Sequence, residues 1–375
     1  MIRTEVEKKD NQIFVHNFDG ERRVSGGIIG FTQSHLNGAV IPSLTIGGVG
    51  TDPEYRRSGL VHTIFTEVEK AAEEYGCPIS YLHPFSFSYY RKKGYERIGD
   101  HRILEFPMSA LDFVPRYADL VLCDTPEKSQ DALDVYNRFA AGRNIMFVRT
   151  NGKNYLPNNS KTYILYGKDG AARAYVITGI ENYYYVNRMV SVNLHVYEMC
   201  YTNKEDLLSL FGFLRMYEGE LSTVKIHNCA MAPEVERTLR HYMHTNITVL
   251  PDLSARIHNV EAVLRAVRYP DAPGRFVVKV TEPDGTGHKK TYTEGIWEVS
   301  YGSHLLSGVS VVRLEDSCTD YDLCCDIPAF TQLIFGYECF GLQTASYMDN
   351  VELMTDCADF FRAFPNRPCG LFEHF

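Results

Sequence analysis

The sequence predicts a mixed α+β protein with more than one domain. Its 375 residues exceed the roughly 250 to 300 at which a single hydrophobic core stops growing. Two regions each contain a series of strands, then a helix, a strand and another helix, which is the order of an α/β unit. From about residue 271 onward, alternating strands with glycine-bearing turns come first and helices follow.

The first region begins with strands and then changes its hydrophobic period. From Gly59 onward, apolar residues recur at helical spacing with Glu and Lys between them, and Gly76 ends this helix. A short helix through FSYYRKK ends at Gly94, and residues 95–108 are predicted to form a closing hairpin. The predicted strands are 12–18, 24–36, 43–50 and 79–84.

The second region repeats this order, and the last region does not. In the second, strands are predicted at 161–167, 172–179 and 183–201, helices at 127–141, 203–217, 233–243 and 258–267, and a further strand at 222–228. In the last, four segments alternate like antiparallel strands, and helices are predicted at 328–337 and 350–364. Asp349 and Glu352 are expected to form a capping box for the second of these helices.

Composition favours an ordinary soluble globular protein in a reducing compartment over several other classes. The net charge of −9 argues against nucleic acid as a partner. No stretch approaches the roughly 20 apolar residues of a membrane span, and the N-terminus is too polar for a signal peptide. The 10 cysteines lack the spacing of a metal site and are interpreted as small reduced thiols. We therefore expect a cytoplasmic protein with no metal and no membrane partner.

The segment VGTDPEYRRSGL, residues 49–60, has the chemistry of an anion site. The first backbone N–H groups of a helix lack partners, and the helix dipole is positive there. Two arginines at that position oppose the dipole unless an anion binds, and a glycine lets the backbone approach a bulky oxyanion. Neither the P-loop pattern nor the dinucleotide pattern GxGxxG is present. The segment therefore predicts a site for a phosphate or diphosphate.

This segment resembles motif A of the GNAT acetyltransferases, which grips the pyrophosphate of acetyl-coenzyme A. A second similarity is HPFSFSYYRKKGY, residues 83–95, where Tyr90 precedes Gly94 and Tyr95 as the family pattern requires. Together with the repeated α/β order, the last domain and the terminal phenylalanine, these motifs make nearly the whole chain similar to the enhanced intracellular survival (Eis) family.

The resemblance implies tandem GNAT-like α/β units, the second degenerate, followed by a sterol-carrier-protein-like α+β domain. The corresponding ranges are 1–120, 121–270 and 271–375. It also implies a homo-oligomer, a hexamer or trimer. Only about 45 residues precede motif A, so one further strand and one or two helices of the family are missing and the first domain is N-terminally short.

The resemblance also assigns roles to residues. Val49 and Thr51 match positions that bond the pantetheine arm, and Tyr90 and Phe375 match the general acid and the base, the latter through its terminal carboxylate. The oxyanion donor is expected to be a backbone N–H near Val49. Tyr89 is the alternative to Tyr90, and His374 and Glu373 compete with Phe375 as base. The residues matched to coenzyme binding are Val49, Thr51, Arg56, Arg57, Ser58, Gly59 and Leu60.

The function implied is acetyl-CoA-dependent N-acetylation of a primary amine. The resemblance suggests aminoglycoside-like or polyamine acceptors. A lysine or an N-terminus of a protein is the alternative acceptor, and a non-catalytic CoA-binding scaffold is the alternative without chemistry. A lipid pocket in the last domain is a further, less favoured interpretation.

Overall fold

The computed structural model describes residues 2–151, 160–185, 188–240, 243–283, 290–338 and 341–375. These fall into two units. The first contains residues 1–99, 252–367 and 375, and the second contains residues 100–251 and 368–374. The three ranges expected from the sequence stay a prediction.

The described residues form strands and helices with the following bounds. The strands are β1 Ile2–Lys9, β2 Gln12–Asp19, β3 Arg22–Leu36, β4 Ala39–Thr51, β5 Ile79–Leu82, β6 Glu96–Pro107, β7 Val121–Leu122, β8 Lys161–Tyr166, β9 Ala172–Tyr185, β10 Arg188–Tyr201, β11 Thr223–Ile226, β12 Asn246–Ile257, β13 Gly274–Thr281, β14 Gly295–Tyr301, β15 Val309–Leu314, β16 Leu323–Asp326 and β17 Val351–Leu353. The helices are α1 Leu60–Glu74, α2 Phe87–Arg91, α3 Pro126–Ala140, α4 Lys204–Leu214, α5 Pro233–Thr238, α6 Val260–Ala266, α7 Ile327–Phe335, α8 Leu342–Ala345 and α9 Ala358–Ala363.

The first sheet of the first unit has the strand order β1-β2-β3-β4-β5-β12. Strands β1 to β4 are antiparallel neighbours, β4 and β5 are parallel, and β5 is antiparallel to β12. The parallel pair requires a crossover, and α1 supplies it. The predicted order of strands, helix, strand and short helix is therefore confirmed.

Helix α1 covers one face of this sheet with the apolar stripe that its sequence predicts. Its buried residues pack with the inward side chains of β2, β3 and β4, and burial of each large aliphatic or aromatic side chain contributes roughly 1.5–3 kcal/mol. Gly27 allows the close approach, because a Cβ there would lie 2.9 Å from Cγ2 of Ile64. The helix residues that face the core are Leu60, Ile64, Phe65, Val68, Ala71 and Ala72.

The first unit also contains a second, mixed sheet with the order β15-β14-β13-β16-β17. Here β13 and β16 are parallel, and the other neighbouring pairs are antiparallel. Helices α7 and α9 contact β13, and most of α7 is buried, including Phe330 and Phe335.

The second unit contains a sheet with the order β6-β11-β10-β9-β8-β7. Strands β8, β9 and β10 are antiparallel, α4 follows, and β11 then lies parallel to β10. This is the same connection order as β2-β3-β4-α1-β5 in the first unit. Both units thus belong to a mixed α+β architecture with mixed sheets.

Three expectations from the sequence are wrong, because strand pairing over long sequence distances overrides the local patterns on which they rest. Residues 95–108 are not a hairpin but the single strand β6, because the chain stays extended through Gly99. The helix expected at 350–364 is split: Val351–Leu353 pairs with β16, and Cys357 with φ 48° separates it from α9. The capping box of Asp349 and Glu352 therefore does not exist. Strands β1 and β12 are not predicted by the sequence pattern at all.

No helix among the described residues is long and apolar enough to cross a membrane. All nine described cysteines are free thiols, and six of them are buried.

A histidine cluster in the second unit makes a testable contribution to stability. Nδ1 of His195 lies 2.8 Å from Nε2 of His227, and the ring of His101 lies 5.9 Å from that of His227. Burial, and then the positive charges that His195, His101 and Lys225 can carry, lower the pKa of His227 to about 4. We infer that His227 is neutral in the folded protein at every pH above that value.

We therefore expect the protein to lose stability as the pH falls below about 6.5. The unfolded state binds a proton at this position from about pH 6.5 downward and the folded state does not, so the loss approaches about 1.4 kcal/mol per pH unit until about pH 4. Thermal unfolding of wild type and His227→Gln near pH 7 and near pH 5 measures it, with the exposed His304→Gln as control. An equal acid shift in all three proteins would contradict the expectation.

Candidate active site

Strand β4 separates from its parallel neighbour β5 several residues before β4 itself ends. Its pairing with β5 runs from Ser43 with Ile79 to Ile46 with Leu82, whereas β4 itself continues to Thr51. On its other side, the register with β3 shifts between Gly26 and Ile28, and Gly48 adopts φ +60°. The last residues of β4 therefore have a bulged backbone on one side and an open edge on the other. An extended ligand can pair with such an edge.

The segment between β4 and α1 is shaped by left-handed residues. A single 3₁₀ turn, Pro53–Tyr55, follows the strand. Arg57 then has φ 66° and Gly59, the N-cap of α1, has φ 83°. A left-handed arginine costs about 1 kcal/mol or more, which is typical of functional backbone. No hydrogen bond within the described residues engages the amides of Arg57, Ser58 or Gly59.

The two arginines of this segment leave their charges available. Nε of Arg56 donates to the carbonyl of Thr51 at 3.4 Å, and both side chains are exposed. Gly59 has no atom within 4 Å of the position where a Cβ would stand, so the space beside it is open. Two exposed guanidinium groups, open amides and the dipole of a four-turn helix together supply the positive charge and the donors that an anion requires.

The other residues matched to coenzyme binding contribute through their backbone. The side chains of Val49 and Leu60 pack into the core under α1. Thr51 pairs its hydroxyl with that of Ser25 at 3.0 Å, and the Ser58 hydroxyl donates to the carbonyl of Tyr55. Val49, Thr51 and Leu60 can therefore offer a ligand mainly their main chain, whereas Ser58 is exposed.

Tyr90 is buried near the C-terminal end of the short helix α2. Ser86 caps this helix by accepting a hydrogen bond from the amide of Tyr89, which places the Tyr90 ring 6.0 Å from Phe65 of α1 and 5.2 Å from Phe85. Burial raises the pKa of Tyr90 to about 12. None of the described residues forms a hydrogen bond with its hydroxyl. Tyr89 is less buried, and burial raises its pKa as well.

The C-terminal residue lies on β4. A Cβ at Gly47 would stand 2.7 Å from the carboxyl carbon of Phe375 and 3.0 Å from its oxygen. The terminal carboxyl group can therefore approach β4 this closely only because residue 47 is glycine. Gly47 is the first residue of β4 beyond the pairing with β5, so the terminal carboxyl group lies where the two strands part.

A histidine side chain packs against the ring of the terminal phenylalanine. The ring of His83, directly after β5, lies 4.7 Å from the Phe375 ring. Its Nδ1 forms a 3.1 Å hydrogen bond with Oδ1 of Asp252 on β12, with the imidazole as donor because an ionised carboxylate can only accept. The sequence pattern indicates no role for His83 or Asp252. No local signal exists for this pair, because β12 reaches β5 only through the tertiary fold.

The two competing bases occupy the second unit. Glu373 accepts hydrogen bonds from Nε of Arg149 at 2.5 Å and from the Tyr136 hydroxyl at 3.0 Å. The His374 ring lies 6.5 Å from that of His101. Glu373 is thus engaged in an ion pair with Arg149, which in turn binds Glu198.

Comparison with known proteins agrees with this geometry. Residues 2–98 match the family described as "Acetyltransferase (GNAT) domain". No curated protein matches the chain. The fold is similar to a probable N-acyltransferase from Enterococcus faecalis, a conserved protein of unknown function, with TM-score 0.80 and 19% identity over 97% of this chain and 90% of that one.

Two further solved structures share the fold across nearly the full chain. A GCN5-related N-acetyltransferase from Anabaena variabilis matches with TM-score 0.81 and 18% identity, covering 96% of this chain and 89% of that one. Eis1 from Mycobacterium abscessus matches with TM-score 0.72 and 15% identity, covering 96% and 91%. Residues 2–98 thus match a GNAT acetyltransferase domain, and the chain as a whole shares the fold of these three solved structures.

Proposed function

We propose that the protein transfers acetyl from acetyl-CoA to a primary amine. The observation that carries this proposal is the segment between β4 and α1, with two exposed arginines and three amides not engaged by the described residues at the positive end of a helix. The pyrophosphate of the coenzyme would bind there through Arg56, Arg57 and the main chain of 58–60. The pantetheine arm would pair with the main chain of Val49 and Thr51.

The chemistry would take place where β4 and β5 part. The neutral amine attacks the thioester carbonyl, a C–N bond forms, and the C–S bond breaks as the tetrahedral intermediate collapses. A main-chain N–H near Val49 would stabilise the oxyanion. The proton of the amine would pass to the Phe375 carboxylate, directly or through water, and from there to solvent, while the departing thiolate takes up a proton from water and leaves as free coenzyme A.

Tyr90 would act on the leaving sulfur. A pKa of about 12 lies far above the value of about 8.5 for a thiol, so full transfer of the tyrosine proton costs about 5 kcal/mol. A hydrogen bond from the hydroxyl to the developing thiolate requires no such transfer, and it strengthens as the negative charge grows. Tyr90 therefore serves as a donor that stabilises the thiolate in the transition state.

The finer assignments rest on the Eis resemblance. They include a degenerate central GNAT-like domain, supported by the repeated connection order in the second unit. They also include a sterol-carrier-protein-like last domain, supported by the five-stranded mixed sheet with α7 and α9. Assembly into a hexamer or trimer, a cytoplasmic location and the domain ranges 1–120, 121–270 and 271–375 belong to the same proposal.

A thiol-release assay tests the proposed function. The protein is incubated with acetyl-CoA and, separately, with aminoglycosides, polyamines, small monoamines, lysine peptides and peptides with a free N-terminus. We expect release of coenzyme A that depends on at least one amine. Turnover with the peptides alone would favour a protein acetyltransferase. Coenzyme binding without thiol release across the whole panel would favour a CoA-binding scaffold.

The coenzyme site makes a separate prediction. Arg56→Ala and Gly59→Val are each expected to weaken the binding of acetyl-CoA by at least about 1.5 kcal/mol, which is the low end for a charged hydrogen bond. Arg56 loses a guanidinium, and at Gly59 the penalty comes from the left-handed backbone rather than from a clash. Titration calorimetry measures both, with Gly170→Val, also left-handed and open, as the control. Wild-type affinity in both site variants would refute the assignment.

A further inference from the structure

A trough without side chains runs across the face of the first sheet that is opposite α1. Gly26, Gly48 and Gly50 lie on this face of β3 and β4. A Cβ at Gly50 would meet no atom within 4 Å, and one at Gly48 would meet only the side chain of Ile28. A Cβ at Gly26 would lie 3.0 Å from Nδ1 of His16, which therefore stands over this end of the trough. These three glycines, the glycine trough, leave a cavity of about 810 Å³ above the sheet.

Aromatic and aliphatic side chains form the wall of the glycine trough. The strand register places Phe14 beside Ile28 and His16 beside Gly26, and Ile28 in turn lies beside Gly47. The rings of Phe14 and His16 are 6.1 Å apart. Nδ1 of His16 is buried and has no hydrogen-bond partner among the described residues, so a polar group is held at this wall without a protein partner.

The charges that line the glycine trough are balanced. Two acidic residues, Glu7 and Asp52, and two basic residues, Lys9 and Arg23, lie around it. The carboxylate of Asp52 is already bound to Arg22 at 2.5 Å, so it is engaged before a ligand arrives. A polyamine or aminoglycoside carries several ammonium groups, and each would need a carboxylate in reach. The lining adds only Glu7 to the terminal carboxylate, and Lys9 and Arg23 beside it repel further ammonium groups.

The glycine trough reaches the terminal carboxylate. Gly48 follows Gly47, and the carboxyl group of Phe375 lies against Gly47. A ligand on the floor of the trough can therefore place one amine at this carboxylate and its body over Gly50 and Gly26, against Phe14 and His16. Apolar and aromatic walls favour a body of the same character.

We propose that the glycine trough binds the acceptor and that the acceptor is a primary monoamine with an aromatic or apolar body. This inference rests on the proposed acetyl transfer and departs from the polycationic acceptors that the Eis resemblance suggests. Its probe is phenethylamine, compared with spermidine as a polycation with a similar number of non-hydrogen atoms.

Direct binding separates this inference from the proposed function. Titration calorimetry is performed on protein saturated with free coenzyme A, so that no turnover occurs. We expect phenethylamine to bind at least tenfold more tightly than spermidine or kanamycin. Equal or tighter binding of a polycation, or no binding of phenethylamine, would overturn the monoamine assignment. Binding of phenethylamine without thiol release from acetyl-CoA would instead count against the proposed transfer alone.

A variant that fills the trough tests its location. Gly50→Leu introduces a side chain into open space at a strand residue without positive φ, so the backbone is not strained. We expect Gly50→Leu to weaken the binding of phenethylamine at least tenfold and to leave the affinity for coenzyme A unchanged. The control is Gly142→Leu, at an exposed glycine where a Cβ would meet only a carbonyl oxygen at 3.9 Å. Wild-type affinity for phenethylamine in Gly50→Leu would overturn the location.

Discussion

Replacement of Tyr90 by phenylalanine is expected to lower kcat roughly 10²-fold while the affinity for acetyl-CoA stays near that of wild type. The substitution keeps the ring, and therefore the contacts with Phe65 and Phe85, and removes only the hydroxyl. Stability should change little, because no described residue depends on that hydroxyl for a hydrogen bond. Steady-state thiol release and coenzyme titration measure the two quantities.

The pH dependence of kcat separates the contribution of Tyr90 from that of any other titrating group. The pKa of Tyr90 is raised to about 12, so the hydroxyl stays protonated at lower pH and its contribution is lost only as the pH rises through that value. Any alkaline limb below about pH 11 must belong to another group, and wild type and Tyr90→Phe should show it at the same pH. Tyr89→Phe is the matched control. A 10²-fold loss in Tyr89→Phe with an active Tyr90→Phe would exchange their roles.

The parts of the fold that follow local rules can be predicted from the sequence. Helix α1 is predictable because its apolar residues recur at helical spacing between Gly59 and Gly76, and most of them are buried in the structure. The candidate anion site stays a prediction, and its components, two arginines and a glycine before a helix, can be read from the sequence because they are neighbours in the chain. Local patterns cannot reveal β12, whose pairing with β5 depends on the tertiary fold.

The wrong expectations about the fold also arise where pairing between distant segments determines the structure. Asp349 and Glu352 have the spacing of a capping box, but Val351–Leu353 gains more by pairing with β16 than by starting a helix. Gly99 and Asp100 look like a turn, but β6 continues through them. The hydrogen bond between His83 and Asp252 joins residues that are far apart in the sequence, and so does the contact of Phe375 with Gly47. These contacts determine the geometry of the candidate site, and they follow from topology alone.

The last prediction concerns the terminal carboxylate. Its removal is expected to lower kcat at least tenfold. A protein that ends in a carboxamide, made by ligation of a synthetic C-terminal peptide, retains every side chain and removes the negative charge. The amide cannot accept the proton of the amine, so kcat should fall, while coenzyme binding should not change. The control is the same ligation with a free carboxylic acid.

Two further variants distinguish chemistry from packing at this terminus. Gly47→Ala places a methyl group 2.7 Å from the carboxyl carbon of Phe375, so the terminus must move and kcat should fall in the same way. A short Gly-Ser extension removes the carboxylate from β4 and should have the same effect. Glu373→Gln is unsuitable as a neutral control, because Glu373 binds Arg149 and Tyr136. If the carboxamide protein is fully active, the carboxylate is not the base, and a loss confined to Gly47→Ala would then reflect packing of the Phe375 ring against His83.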